Sequence, residues 1–144
     1  MPPVDERFSA ALHATARSWR LALDRRLKDL GMSQAGWMTI AMVAKAKEPL
    51  SQIELANRVG VEGATMVAML DRLARDGLVE RQPSPTDRRV KRVVLTPAGS
   101  KLYDTVRTEG AAVRKKLLAG VDAKQLLAAT ELLEHLLRLL DEAS

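Results

Sequence analysis

"SQIELANRVGVEGATMVAMLDRLARDGLVERQPSPTDRRVKRVVLT" runs from Ser51 to Thr96, and its reading decides the fold. Ser51 and Glu54 have the spacing of a capping box, in which each side chain satisfies an amide left free at the start of a helix. Ile53, Leu55, Ala56 and Val59 supply the apolar side of that helix, and Gly60 ends it. A second helix begins at "EGATMVAMLDRLARDG", with Met66, Leu70 and Leu73 on one face and Gly77 as its stop. Ala56 lies four positions before Gly60. The small side chain lets two helices cross closely, and the glycine turns the chain without strain. Met66 then packs back between them. The spacing is that of a helix-turn-helix, although an ordinary core hairpin shares its grammar.

The residues after Gly77 separate the two readings. "LVERQ" alternates as a short strand, "PSPTD" is turn chemistry, and "RVKRVVLT" alternates again with Val90 and Val93 among bases. Residues 81–96 carry five bases and one acid, a net +4 in a chain whose total is +5. Charge concentrated in this way is a footprint for a polyanion. The alternative is a solvated loop that happens to be basic. A helix-turn-helix followed directly by a hairpin with a basic tip is a winged helix. One helix enters the major groove of DNA, and the tip reaches an adjacent minor groove whose negative potential favours arginine.

The flanks are helical. After a short irregular start, residues 5–30 form a long amphipathic helix, with Phe8, Leu12, Ala16, Trp19, Leu23, Leu27 and Leu30 at steps of three and four, stopped by Gly31. Ser33 caps a second helix, "SQAGWMTIAMVAKA", that ends before Pro49. Thr96 caps a helix with Pro97 in its first turn and Leu102, Val106, Val113 and Leu117 on its buried side. Gly120 breaks it, and "DAKQ" opens the last helix. There Leu126, Ala129, Leu133, Leu136 and Leu140, widened by Leu127, Leu132, Leu137 and Leu139, form a stripe too broad for one partner. The expected fold is mainly α with a small β-hairpin wing. Residues 31–97 form the winged helix-turn-helix, and residues 1–30 and 98–144 form helices that pair across a homodimer. The alternative is a monomer whose terminal helices fold back on the wing region.

Composition excludes much else. The chain of 144 residues has no cysteine, so disulfide frameworks, thiolate metal sites and thiol redox chemistry are ruled out. No apolar run is long enough for a membrane span. The start, "MPPVDERFSA", has acids where a secretion signal needs bases, so a cytoplasmic protein is expected. The two histidines, His13 and His135, lie in opposite terminal helices. With no phosphate-cradling glycine loop and no ligand cluster, the expectation is no enzyme, no cofactor and no metal.

With these residues in place, the chain resembles the MarR/SlyA family of winged-helix regulators over nearly its whole length. "RSWRLALDRRLKDLGMSQAGW", "SQIELANRVGV", "LVERQPSPTDRRVKRVVLT" and "LLAGVDAKQ" resemble the SlyA-like branch, and the "DRR" of the wing is the most specific element. The resemblance implies a homodimer that binds a pseudo-palindromic operator in double-stranded DNA. It implies repression in most cases, and release by small aromatic or phenolic acids. By position it makes Arg88 and Arg89 the minor-groove arginines, with Asp87 bracing one of them. It makes Ser51, Gln52 and Thr65 contacts at helix starts, Arg72 and Arg75 phosphate contacts, and Lys91 and Arg92 flanking cations.

One departure qualifies it. Where the SlyA branch typically has an arginine, this chain has Ala68. An arginine–guanine contact contributes about 1–3 kcal/mol of discrimination, and that contact is unavailable here. Ala64, Thr65 and Ala68 still reach thymine methyls, so the site is read more by shape and wing than by hydrogen bonds in the major groove. A winged helix turned into a protein-interaction module with weakened DNA binding is the rival reading.

Trp19 and Trp37 are the only tryptophans. With Arg17 and Arg20 they are suited to an aromatic carboxylate, and His13, Met38, Ala41 and Met69 complete the expected effector pocket. The alternative makes the tryptophans core anchors and pairs the arginines with acids such as Asp24.

Overall fold

A computed structural model of the chain describes residues 1–143. In chain order the elements are α1 (Val4–Lys28), α2 (Gln34–Lys45), β1 (Leu50–Ser51), α3 (Gln52–Val59), α4 (Gly63–Arg75), β2 (Val79–Pro83), β3 (Lys91–Leu95), α5 (Pro97–Leu118) and α6 (Ala123–Ala143). They fall into two compact units, Met1–Ala111 and Ala112–Ser144. The mainly helical fold with a small antiparallel sheet is the one the sequence implies.

The core of the first unit is built where the helix-turn-helix meets the sheet. Ile40 and Val43 of α2, Leu55 and Ala56 of α3, Met66, Leu70 and Leu73 of α4, Val79 of β2 and Val93 of β3 form one buried cluster. Met66 is packed back as its spacing requires. Gly60 has a φ of +83° and donates its amide to the Ala56 carbonyl, so the left-handed turn falls on the residue without a Cβ. A second, smaller cluster joins Leu27 of α1, Trp37 of α2 and Val106 of α5. The ion pair between Arg26 and Glu109, at 2.7 Å, clamps α1 to α5 at the surface.

Local signals hold at the helix starts. Ser33 accepts from the Gly36 amide, Asp122 accepts from the Gln125 amide, and Thr96 accepts from the Gly99 amide. Gly99 has a further reason to be glycine. A Cβ there would collide with the Leu78 carbonyl oxygen, so α5 packs directly on the loop that leads into β2.

Several expectations are corrected. The sheet has three strands in the order β1-β3-β2, not two, because Leu50 and Ser51 pair with Val93 and Arg92. The second hairpin strand begins at Lys91 rather than Arg89. The Val90 amide is drawn back to the Asp87 carbonyl, which leaves Arg89 and Val90 in the turn. Ile53 is 74% exposed. At about 100° per residue it points away from the face shared by Leu55 and Val59. Leu117, expected on the buried side of α5, is 47% exposed, whereas Val106 and Val113 are buried.

Candidate nucleic-acid interface

The wing is an ordered turn between β2 and β3. The Ser84 amide donates to the Val90 carbonyl at 2.8 Å and closes the loop. Ser84 also accepts from the Thr86 amide and contacts the Thr86 hydroxyl. Asp87 organises the tip. Its Oδ1 accepts from the Arg89 amide at 3.0 Å and from Arg89 Nε at 3.2 Å, and its Oδ2 accepts from the guanidinium at 3.4 Å. The backbone bond first, and the guanidinium second, hold its carboxyl below the ordinary 3.8. The Arg89 side chain is nevertheless 92% exposed, so the brace orients the cation without hiding it. Arg88 makes no hydrogen bond or ion pair among the described residues, and it is exposed beside Arg89.

The base of the wing is locked by a residue that the sequence pattern did not bring forward. Arg81 donates from Nε to Gln52 Oε1 at 2.6 Å. It donates from one terminal nitrogen to the Val67 carbonyl at 3.1 Å and pairs through the other with Asp71 at 2.8 Å. One guanidinium fork therefore ties β2 to the start of α3 and the middle of α4. The signal was present: on a strand, Arg81 shares a face with the buried Val79, two residues away.

This lock changes what several expected contact residues can offer. With Oε1 of Gln52 taken, its amide nitrogen remains as the donor. The Ser51 hydroxyl accepts from the Glu54 amide and the Ser51 amide donates to Glu54, completing the capping box. That hydroxyl keeps its own proton to donate. Ala64, Thr65, Ala68, Arg72 and Arg75 are exposed on α4, opposite the buried Met66, Leu70 and Leu73. Lys91 is exposed, whereas Arg92 is half-buried and donates to the Pro49 carbonyl at 3.1 Å. Lys45, Lys47 and Arg58, which no sequence motif marked, line an open cleft with Arg92 between the α2–β1 loop, α3 and the wing.

The expected effector residues differ in exposure. His13, Arg17 and Arg20 are exposed on α1, and Trp19 is half-buried. Trp37 is a core anchor: it is 7% exposed and packs with Leu27 and Val106. Its indole donates to Asp24 at 3.2 Å, so Asp24 is engaged by the tryptophan and not by an arginine. Met38, Ala41 and Met69 are half-buried, and Met69 lies beside Gly36. Among the described residues there is no group of three or more histidines or acids that could hold a metal ion. No helix among them is long and apolar enough to cross a membrane.

A helix-turn-helix followed by a basic hairpin in a three-stranded sheet is a winged-helix fold. Comparison with known proteins narrows the class. The sequence profile of the MarR family matches residues 34–91. Transcriptional regulator PA3341 is similar at 39% identity, covering 94% of this chain and 98% of that one, with a TM-score of 0.84. Apo MarR from E. coli shares the fold at 24% identity, covering 95% and 98%, with a TM-score of 0.79. CouR from Rhodococcus jostii RHA1, bound to p-coumaroyl-CoA, shares it at 20% identity, covering 94% and 95%, with a TM-score of 0.77. The chain belongs to the MarR family.

Proposed function

We propose that this regulator acts in the cytoplasm as a homodimer that binds a pseudo-palindromic operator and represses transcription, without catalysing a reaction. The observation that carries the reading is the wing tip, where Asp87 orients one arginine, Arg89, and leaves Arg88 free. In the reading, α4 lies in the major groove, Arg88 and Arg89 enter the flanking minor groove, and Lys91, Arg72 and Arg75 neutralise phosphates. Ser51 and Gln52 donate to the backbone from the start of α3.

The terminal helices carry the dimer. Phe8 and Leu12 on α1, and Leu127, Leu137 and Leu140 on α6, are exposed in the single chain, Leu140 at 67%. Apolar faces of this extent call for a partner, and a second copy supplies one. Residues 1–30 and 98–144 are assigned to dimerisation and 31–97 to DNA. The wing motif supports placing the chain in the SlyA-like branch.

Release by a small aromatic acid is part of the same proposal. Trp37 is pinned to Asp24 where α1, α2 and α5 meet, next to the helix-turn-helix. The p-coumaroyl-CoA held by CouR carries an aromatic acyl group, which supports an aromatic effector. A ligand that binds better to a geometry with altered spacing shifts the population toward it. The two recognition helices then no longer sit about 34 Å apart, as docking on one face of the duplex requires. Sedimentation combined with a band-shift titration tests the proposal. The intact chain should sediment as a dimer and shift duplex DNA, and deletion of the chain after Asp122 should abolish both. A stable monomer that still binds DNA would overturn it.

A further inference from the structure

The outward line of α4 begins with methyl groups alone. Opposite the buried Met66, Leu70 and Leu73, the outward line of α4 is Ala64, Ala68, Asp71 and Arg75. At about 3.6 residues per turn these four fall within a narrow strip. Its first two turns carry no side chain longer than a methyl. Thr65 flanks the strip, and with Ile53 of α3 it lines an open notch between the two helices. Ile53 is the most exposed large apolar residue of the helix-turn-helix, and nothing in the single chain covers it.

We infer that Ile53, Ala64, Thr65 and Ala68 read the C5-methyl groups of pyrimidines in the major groove, and that this contact supplies the direct base readout beside the shape readout of the wing. The inference rests on the DNA-binding role proposed above. Thymine presents its methyl in the major groove, and apolar side chains recognise it by contact. Along the strip no hydrogen-bonding side chain comes before Asp71, so its first two turns have little with which to read purine edges. Charge favours nucleic acid as the occupant over an apolar protein segment. Asp71, the acid on the line, is held by Arg81, and Arg72 and Arg75 give the last turns of the same helix positive charge. Because the recognised group is a methyl, 5-methylcytosine should satisfy the same contact.

The test uses the full-length protein and a random-sequence duplex library. Retained duplexes are resynthesised with deoxyuridine in place of thymidine, one symmetric pair of positions at a time. Uracil keeps every hydrogen-bonding group and removes only the methyl. Affinity should fall by about fourfold for each contacted methyl removed, the transfer cost of one such group. At those positions 5-methylcytosine should bind more tightly than cytosine. Thr65→Ser, which keeps the hydroxyl and loses the methyl, should erase the uracil effect at the position it contacts. Retained duplexes that bind equally well with uracil throughout would overturn this inference alone. Failure to retain any duplex at low salt would overturn the DNA-binding role and this inference with it.

Discussion

Arg81→Met removes the lock at the base of the wing while keeping an unbranched side chain of similar reach. The guanidinium serves three acceptors: Gln52, the Val67 carbonyl and Asp71. A hydrogen bond from a charged donor contributes about 1.5–3 kcal/mol when well shielded. Asp71 is more than half exposed, so its ion pair is screened and adds only about 0.5 kcal/mol. The other two bonds lie partly at the surface and are discounted as well, which leaves a total of about 2–3 kcal/mol. For a chain of this size that lowers the melting temperature by roughly 4–12 °C. The effect is directional as well as thermodynamic. The fork ties β2 to both helices through side chains, so its loss frees the angle between wing and recognition helix. DNA affinity measured well below the melting transition should fall too. Arg81→Lys separates the contributions, because an ammonium keeps the charge but cannot span the same acceptors as a planar fork. It should recover part of the melting temperature and less of the affinity. Thermal denaturation followed by circular dichroism reads the first, and fluorescence anisotropy of a labelled duplex reads the second. An Arg81→Met protein that melts with the wild type and binds DNA equally well would refute the lock.

Three further outcomes are expected. Gly99→Ala forces its Cβ against the Leu78 carbonyl, so it should destabilise by about 1–3 kcal/mol or more despite the better helix propensity of alanine, as measured by urea denaturation. Arg89→Ala should weaken DNA binding strongly with little change in melting temperature, since its side chain is exposed and bonded only to Asp87; wild-type affinity in the variant removes the wing from the mechanism. The Asp87 carboxyl is held below 3.8 in the folded turn. Its contribution is therefore present above the unfolded value and is lost only as pH falls through the lower folded value. Binding of Asp87→Asn relative to wild type should not vary with pH between neutrality and about 5, and a divergence within that range contradicts the assignment.

What could be read from the sequence was local. Ser51 with Glu54, Thr96 with Pro97 and the stop at Gly60 act through neighbours a few residues away, so spacing alone identifies them. Contacts that depend on how elements meet were harder to see. β1 is two residues long, too short for an alternating pattern to register. Trp37 and Asp24 are on different helices, and no sequence spacing links them. Ile53 has the residue type of a buried position, although its angular place on α3 points outward. Arg81 was legible in principle, since strand alternation places it with Val79. Its charge groups it instead with the bases of the tip, and composition alone does not separate a locked arginine from a free one.

The central claim is that the cationic wing and recognition helix of a symmetric dimer grip duplex DNA. The most direct measurement is the salt dependence of binding to a retained duplex. A dimer that neutralises roughly six to ten phosphates should lose about a thousandfold to a hundred-thousandfold in affinity between about 50 and 200 mM salt. A flat response, or no binding to any duplex at the lower salt, would contradict the account.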